Sequence, residues 1–509
     1  RSTQQSTLFP YTTLFRSQLT QYYGACALPG GGLCVLDRPG QSLACRVLAP
    51  GALPVGSYQH LDVSADGQRL LFAYCHAETV PKDRAAHPER VYHLFEMGVA
   101  DSAPRQLTAG PYDDFCPRYL PDGRLIFLST RRGGFHRCGR GPCPVYTLAL
   151  AEADGSHPHP ISFHETNEWD PAVMADGRVV YTRWDYVDRS AVYYQQLWSV
   201  RPDGSDVRIL FGNNTYNPVG IWEARPIPGS RCLMATAAAH HAMTAGSIIR
   251  LDPTVGVDGA EPITRLTPDA LFPESEAPVA PTGWHGALGV PKPPPVPEEQ
   301  QRWPGHCYRS PYPLSETLFL AAYSYEALIG EPAANRANMF GLYLVDAFGN
   351  KELLHRDPNI SSLWPMLLRA RPVAPRLPSL ADTPAGTTEP APAEGQAATG
   401  GREGLFMLAN AYAANPPLPT EVRLQRLRIL QVLPKSTPHA NQPPVGAANA
   451  SPGKQVLGTV PVEADGSAFF RAPAGVALAF QVLDERGQAV QTMRSVTYLQ
   501  PGETTGCIG

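Results

Sequence analysis

A few side chains have a type and spacing that carry chemistry before any fold is known. His136-Arg-Cys138, with Cys143 five residues on, spells H-x-C-x4-C after a Gly-Gly turn. Imidazole and thiolate together are zinc ligands, but no fourth ligand is visible, and a loop with incidental cysteines reads equally from the spacing. His240-His241 follows an apolar strand and is a metal candidate, because imidazole is the commonest metal ligand. Neighbouring strand residues point to opposite faces, so one of the two at most can join a given site. Trp184-Asp185-Tyr186 and Trp222-Glu223-Ala224-Arg225 pair aromatic rings with charge at strand ends, which reads as packing between sheets. No G-x-S-x-G nucleophile elbow and no phosphate-binding glycine loop occurs, so no catalytic residue is assigned. A lone Cys507 near the end carries nothing by itself.

The elements that must position these residues are repeats. HLDVSADGQRLLFAY (60–74), CPRYLPDGRLIFLST (116–130) and DPAVMADGRVVYTRW (170–184) are each an apolar strand, an Asp-Gly turn and a second apolar strand. Asp-Gly between apolar runs is the strongest short-range hairpin signal. Degenerate copies lie at 227–238 and 314–324, and each unit is followed by a second hairpin. Two hairpins in about 50 residues make a four-stranded propeller blade. Blades are expected near 58–108, 113–162, 168–211, 219–267 and 308–356. A sixth would combine 362–373 and 404–413 with the N-terminal strands 32–40 and 43–50, closing the ring and removing exposed edges. His240 and His241 would then face the central channel or a docked domain.

Composition agrees with this and narrows the function. The 509 residues hold 54 Pro and 45 Gly but only 17% charged residues, which argues against a helical bundle. A net charge of −4 gives no reason to expect nucleic acid or an anionic membrane as partner. Ten cysteines are too few for a disulfide scaffold, and no apolar run is long enough to span a membrane. Residues 1–17 read as an adapter-derived artefact of metagenomic assembly or as a disordered tail. Two insertions, 273–304 and 374–402, are rich in Pro and poor in large apolar residues, and the second is expected to be disordered. From residue 421 short strands with turns at Asp465-Gly466 and Arg486-Gly487 suggest a second, small β domain. The fold class expected is all-β: a propeller over 18–420 and a truncated β domain over 421–509.

Several stretches carry a resemblance. YLPDGRLIFLSTRRGG (119–134), VVYTRWDYVDRSAV (179–192), GNNTYNPVGIWEARPIPGS (212–230), VLGTVPVEADGSAFFRAPAG (456–475) and VQTMRSVTYLQPGET (490–504) resemble the hydrazine synthase alpha subunit-like family. The first half also resembles the broader TolB-like (PD40) propeller repeat. In the hydrazine synthase family the LQPGE strand runs into a C-x-x-C-H haem attachment site. The resemblance therefore implies that Cys507 is the first haem-binding cysteine, with the second Cys and the His beyond Gly509. It implies haem c in the intact protein, with none certain in this chain, and periplasmic placement. Cys507 is expected at an exposed chain end near the propeller. The function implied is that of a fragment of a multidomain c-type cytochrome, in redox catalysis or electron transfer on a small substrate, with a redox partner protein or other subunits. Alternatives are a non-enzymatic TolB-like propeller that binds a partner protein, and a hydrolase whose catalytic domain is lost.

Overall fold

The computed structural model describes residues 21–507 except 83–85, 102, 140, 187–192, 241–243, 274–305, 327–334, 382–402, 415–416, 441 and 447–450. The 1–17 segment, most of both insertions and His241 thus lie outside the described residues. A short hairpin comes first, β1 (Cys34–Val35) with β2 (Arg46–Val47). Blade 1 is β3 (Gly56–Val63), β4 (Arg69–His76), β5 (His93–Gly98) and β6 (Arg105–Gln106). Blade 2 is β7 (Asp114–Tyr119), β8 (Leu125–Ser129), β9 (Thr147–Ala151) and β10 (His159–Pro160). Blade 3 is β11 (Glu168–Val173), β12 (Val179–Trp184), β13 (Gln195–Val200) and β14 (Arg208–Phe211). Blade 4 is β15 (Gly220–Pro226), β16 (Leu233–Ala238), β17 (Gly246–Leu251) and β18 (Ile263–Arg265). Blade 5 is β19 (Cys307–Pro313), β20 (Leu318–Ser324), β21 (Gly341–Asp346) and β22 (Lys351–His355). Within every blade successive strands pair antiparallel.

The second strands β8, β12 and β16 are buried along their whole length, and β4 and β20 along all but their ends, because neighbouring blades cover both faces. Continuous apolar runs such as LIFLS follow from that, where a half-exposed strand would alternate. Gly67, Gly123 and Gly177 sit at equivalent first-hairpin turns with φ of 73°, 95° and 87°. Each amide is donated three residues back, to Ser64, Leu120 and Met174. The preceding Asp of each turn accepts the amide of the residue after the glycine, at 3.0 Å in all three.

The sixth sector is reduced. Its inner segment is an irregular stretch at 362–373, tied to blade 5 where Ser362 donates to the Phe340 carbonyl. The β1–β2 hairpin covers the gap as expected: Leu33, Val35 and Leu48 pack on the blade 1 core, and His355 of blade 5 lies 2.8 Å from the Leu43 carbonyl. The 404–413 strand does not belong to this sector. Instead β23 (Glu403–Leu408) pairs with β26 (Ala468–Pro473) and β29 (Thr504–Cys507) in the small domain. Facing that sheet are β24 (Leu424–Val432), β25 (Lys454–Pro461), β27 (Ala477–Asp484) and β28 (Ala489–Thr492), in the order β25-β24-β27-β28. Phe406, Phe470 and Leu499 from one side meet Leu427, Ile429 and Leu478 from the other in one core. The small domain therefore begins by Glu403, earlier than 421.

Residues 374–381, placed in the second insertion and expected to be disordered, form an extended strap across the turns of blades 1 to 3. Arg371 N donates to Ala65 O, Arg376 Nε to Pro121 O, and Arg201 Nη2 to Pro378 O. Ser379 Oγ and Leu380 N both donate to Asp203 Oδ2, at 2.7 and 2.9 Å. The strap has no core of its own; its order comes from the turns beneath it. No helix among the described residues is long and apolar enough to cross a membrane.

Candidate functional site

Each blade's first strand carries a register shift, the mark of a β-bulge. At each bulge a non-glycine residue takes the left-handed backbone: His60, Cys116, Asp170, Glu223 and Ser310, with φ between 47° and 54°. Trp364, φ 52°, repeats the conformation in the irregular sixth sector. These residues, with Arg309 beside Ser310, form a linked group. Cys116 Sγ lies 3.7 Å from Asp170 Oδ1, Glu223 N donates to Asp170 Oδ2 at 3.2 Å, and Ser310 Oγ donates to Glu223 Oε1 at 2.9 Å. Arg309 stands over Trp364, which stacks on His60 at 4.6 Å between ring centres, closing the circle. Left-handed backbone at non-glycine residues costs about 1–3 kcal/mol each and persists where structure around it is rigid. Here six such residues aim short polar and aromatic groups at the axis.

The axial groups are buried. Burial, then the neighbouring Glu223 carboxylate, pushes Asp170 up to about 6. Burial drives His60 well below its ordinary range and the Cys116 thiol well above its own. A small cavity beside them, with room for about one water molecule, is lined by Arg118, Asp170, Glu223, Arg225, Ser310 and Trp364. Among the described residues, the group of three side chains able to hold a metal is His60, Cys116 and Asp170.

The candidates taken from spacing lie elsewhere. His136, Cys138 and Cys143 share a hairpin loop in which His136 N donates to Cys143 O, and His136 Nδ1 accepts the Cys138 amide at 2.8 Å. The Cys138 amide thus occupies the Nδ1 lone pair of His136. His240 is buried, with Nδ1 2.9 Å from Gln195 Nε2 and its ring edge-on to Trp184 at 4.8 Å. Trp184 also stacks on His136 at 4.7 Å, and its carbonyl accepts His164 Nε2 at 2.8 Å. Two imidazoles thus flank the Trp184 indole, while the third, His164, bonds its backbone carbonyl. Trp222 packs as expected, edge-on to Trp169 at 4.4 Å, whereas Glu223 beside it belongs to the axial ring.

The small domain docks along the seam between blades 2 and 3. Arg183, fully buried, donates to Ser495 Oγ and the Val496 carbonyl at 2.8 and 2.6 Å while paired with Asp185 at 2.9 Å. Gln500 Nε2 donates to the Ile161 and Gly204 carbonyls, and Glu503 accepts the Asp206 amide at 2.7 Å. Four residues beyond that pin, Cys507 lies in β29, paired in parallel with Leu408 on the edge of its sheet. It is half-buried against the core around Phe406 rather than at an exposed end, and burial raises its thiol pKa. Haem c needs two thiols and an axial histidine. Cys507 supplies one thiol, and Ile508-Gly509 supply neither remaining group, so the residues present do not complete such a site.

Fold and docking define a class: a six-sector β-propeller carrying a small β domain on the flank of two blades. Residues 423–509 match the family model of the hydrazine synthase alpha subunit middle domain. Hydrazine synthase from Kuenenia stuttgartiensis is similar in structure, with a TM-score of 0.68 and 16% identity over 92% of this chain and 64% of that one. The chain therefore spans about 64% of that relative's length. TolB from Acinetobacter baumannii is a more distant structural neighbour, with a TM-score of 0.32 and 12% identity over 65% of this chain and 62% of that one. No curated protein matches in sequence. Over residues 423–509 the family match, and over the fold the structural likeness, agree with the resemblance to hydrazine synthase alpha subunits that the sequence motifs carried.

Proposed function

We propose that this chain is the propeller and leading part of the middle domain of an extracytoplasmic c-type cytochrome similar to hydrazine synthase alpha subunits. The intact protein acts in redox catalysis or electron transfer on a small substrate, together with a redox partner or sister subunits. The observation that carries this reading is the middle-domain match over 423–509, which includes Cys507 at a sheet edge four residues beyond a pin to blade 3. Cys507 is the first thioether cysteine in this reading. The propeller's part is positional: a rigid flank that fixes where the segment 495–507 emerges. No chemical step is assigned to residues of this chain.

The test is to extend the chain by Cys-His after Gly509 and export it with a cytochrome c maturation system. A red protein is expected, whose denatured pyridine adduct shows the band of a two-thioether haem, altered or lost in Cys507→Ala. The chain ending at Gly509 should bind no haem covalently. A colourless extended protein, matured beside a working control cytochrome, overturns both the site and the function.

A further inference from the structure

We propose that His60, Cys116 and Asp170 form a transition-metal site on the propeller axis, of a chemistry suited to zinc. The three donors come from the bulges of three consecutive blades, and their ligand atoms lie within 4.8 Å of one another. Nε2 of His60 is 3.8 Å from Asp170 Oδ1, and Cys116 Sγ is 3.7 Å from the same oxygen. Tetrahedral zinc with bonds of about 2.0–2.3 Å requires donor separations of roughly 3.3–3.6 Å. These two gaps are a few tenths of an ångström wider, and the third, between His60 and Cys116, is within 4.8 Å, so side-chain torsions must draw the donors together.

The surroundings hold the donors in place. The His60 ring is stacked by Tyr22 and Phe115 at 5.6 and 6.0 Å and faced at a tilt by Trp364 at 4.6 Å. Its Nδ1 is buried with no hydrogen-bond partner in the structure, so no competing bond holds that nitrogen. The second Asp170 oxygen accepts the Glu223 amide, the kind of outer bond that orients a ligating carboxylate. The cavity lined by Arg118, Asp170, Glu223, Arg225, Ser310 and Trp364 adjoins Asp170 and offers a fourth position to one water or small anion. Three protein ligands with an open fourth position is the pattern of reactive rather than purely structural zinc.

Charge and softness favour the same metal. Thiolate, imidazole and carboxylate together suit zinc, where magnesium and calcium take oxygen alone. On binding, the Cys116 S–H bond breaks, its proton leaves to solvent and a metal–sulfur bond forms, with no change of oxidation state. Thiolate and carboxylate then neutralise the dication, so the bound unit adds little net charge beside Arg118, Arg225 and Arg309.

The experiment uses the whole chain, purified without a polyhistidine tag, stripped with chelator and titrated with Co²⁺. One Co²⁺ per chain is expected, with a thiolate-to-cobalt charge-transfer band that Zn²⁺ displaces. Cys116→Ser should abolish the band. His60→Gln and Asp170→Asn should weaken binding more than about 100-fold, since losing an outer partner alone costs about 10–100-fold. Those two near-isosteric variants keep the test standing should Cys116→Ser fail to fold. Cys138→Ser and Cys143→Ser should leave the band intact. Absence of stoichiometric binding, or a band that survives Cys116→Ser and vanishes with Cys138→Ser, overturns the proposal.

Discussion

Gly177→Ala should loosen the strap, and Gly123→Ala should not, although the two glycines occupy the same turn of neighbouring blades. Both have a backbone that disfavours a side chain, with φ of 87° and 95°. That strain is common to both substitutions and costs about 1–2 kcal/mol. The difference lies above the turn. A Cβ on Gly123 meets nothing within 4 Å, whereas one on Gly177 would lie 2.3 Å from the Pro375 carbonyl oxygen. Backbone cannot yield as a flexible side chain does, so the strap must lift. Lifting it threatens the bonds from Arg376 to Pro121 O, from Arg201 to Pro378 O, and from Ser379 and Leu380 to Asp203. At about 0.5–1.5 kcal/mol each, and at the low end because they are exposed, these add roughly 2 kcal/mol. Chemical denaturation should therefore show a loss of about 1–2 kcal/mol for Gly123→Ala and about 3–4 kcal/mol for Gly177→Ala. Trypsin should cut at Arg376 faster in Gly177→Ala alone. Equal losses and equal cleavage in the two variants would refute the reasoning, because the strap would then not rest on the turn.

Asp113 offers a pH test. It is held at about 7 by burial, against an ordinary 3.8, while its Oδ1 accepts the Gly24 and Tyr92 amides. The folded state then binds more protons than the unfolded one between pH 4 and 7, so this group's contribution to stability falls as pH rises through that window. Asp113→Asn keeps the oxygen that accepts both amides and removes the titration. Its stability relative to the parent should rise by up to about 4 kcal/mol from pH 4 to 8 in melts across that range, and parallel profiles would count against it. Arg183→Gln should release the small domain: it breaks the bonds to Ser495 and Val496 and strands Asp185 in the interior, at a cost of about 3–5 kcal/mol. Calorimetry should show the small domain melting apart from the propeller, and an unchanged single transition would contradict the docking role given to Arg183.

The blades were legible because local signals suffice for them. An Asp-Gly turn between two apolar runs fixes a hairpin, and its recurrence fixes the repeat. The strand Glu403–Leu408 was misplaced because its apolar run would serve a blade equally well, and its partners lie far along the chain at Ala468–Pro473 and Thr504–Cys507. Nothing local records that choice. The strap at 374–381 was illegible for a related reason: an extended segment has no periodicity of its own. Composition argues that such a segment cannot build a core, which holds, but it says nothing of a segment that borrows order from turns already formed.

The axial residues were a different case, because their signal was present and unused. His60, Cys116 and Asp170 each stand seven residues before the turn glycines Gly67, Gly123 and Gly177. Four of the six bulge residues are followed by proline: Pro117, Pro171, Pro311 and Pro365. Proline has no amide to donate and is confined to edges and bulges within sheets, so its recurrence in the inner strand marks where pairing breaks. A break repeated at one level in a closed ring must aim side chains at the axis. Cysteine and histidine that seem unrelated at a distance of 56 residues become neighbours by that geometry alone. Spacing within one loop, as in His136-x-Cys138-x4-Cys143, asks the chain to fold back on itself, and there the nearby Cys138 amide takes the Nδ1 lone pair of His136. Spacing by whole repeats lets the ring do the converging, and it leaves the His60 ring stacked in place with a polar nitrogen still unpaired.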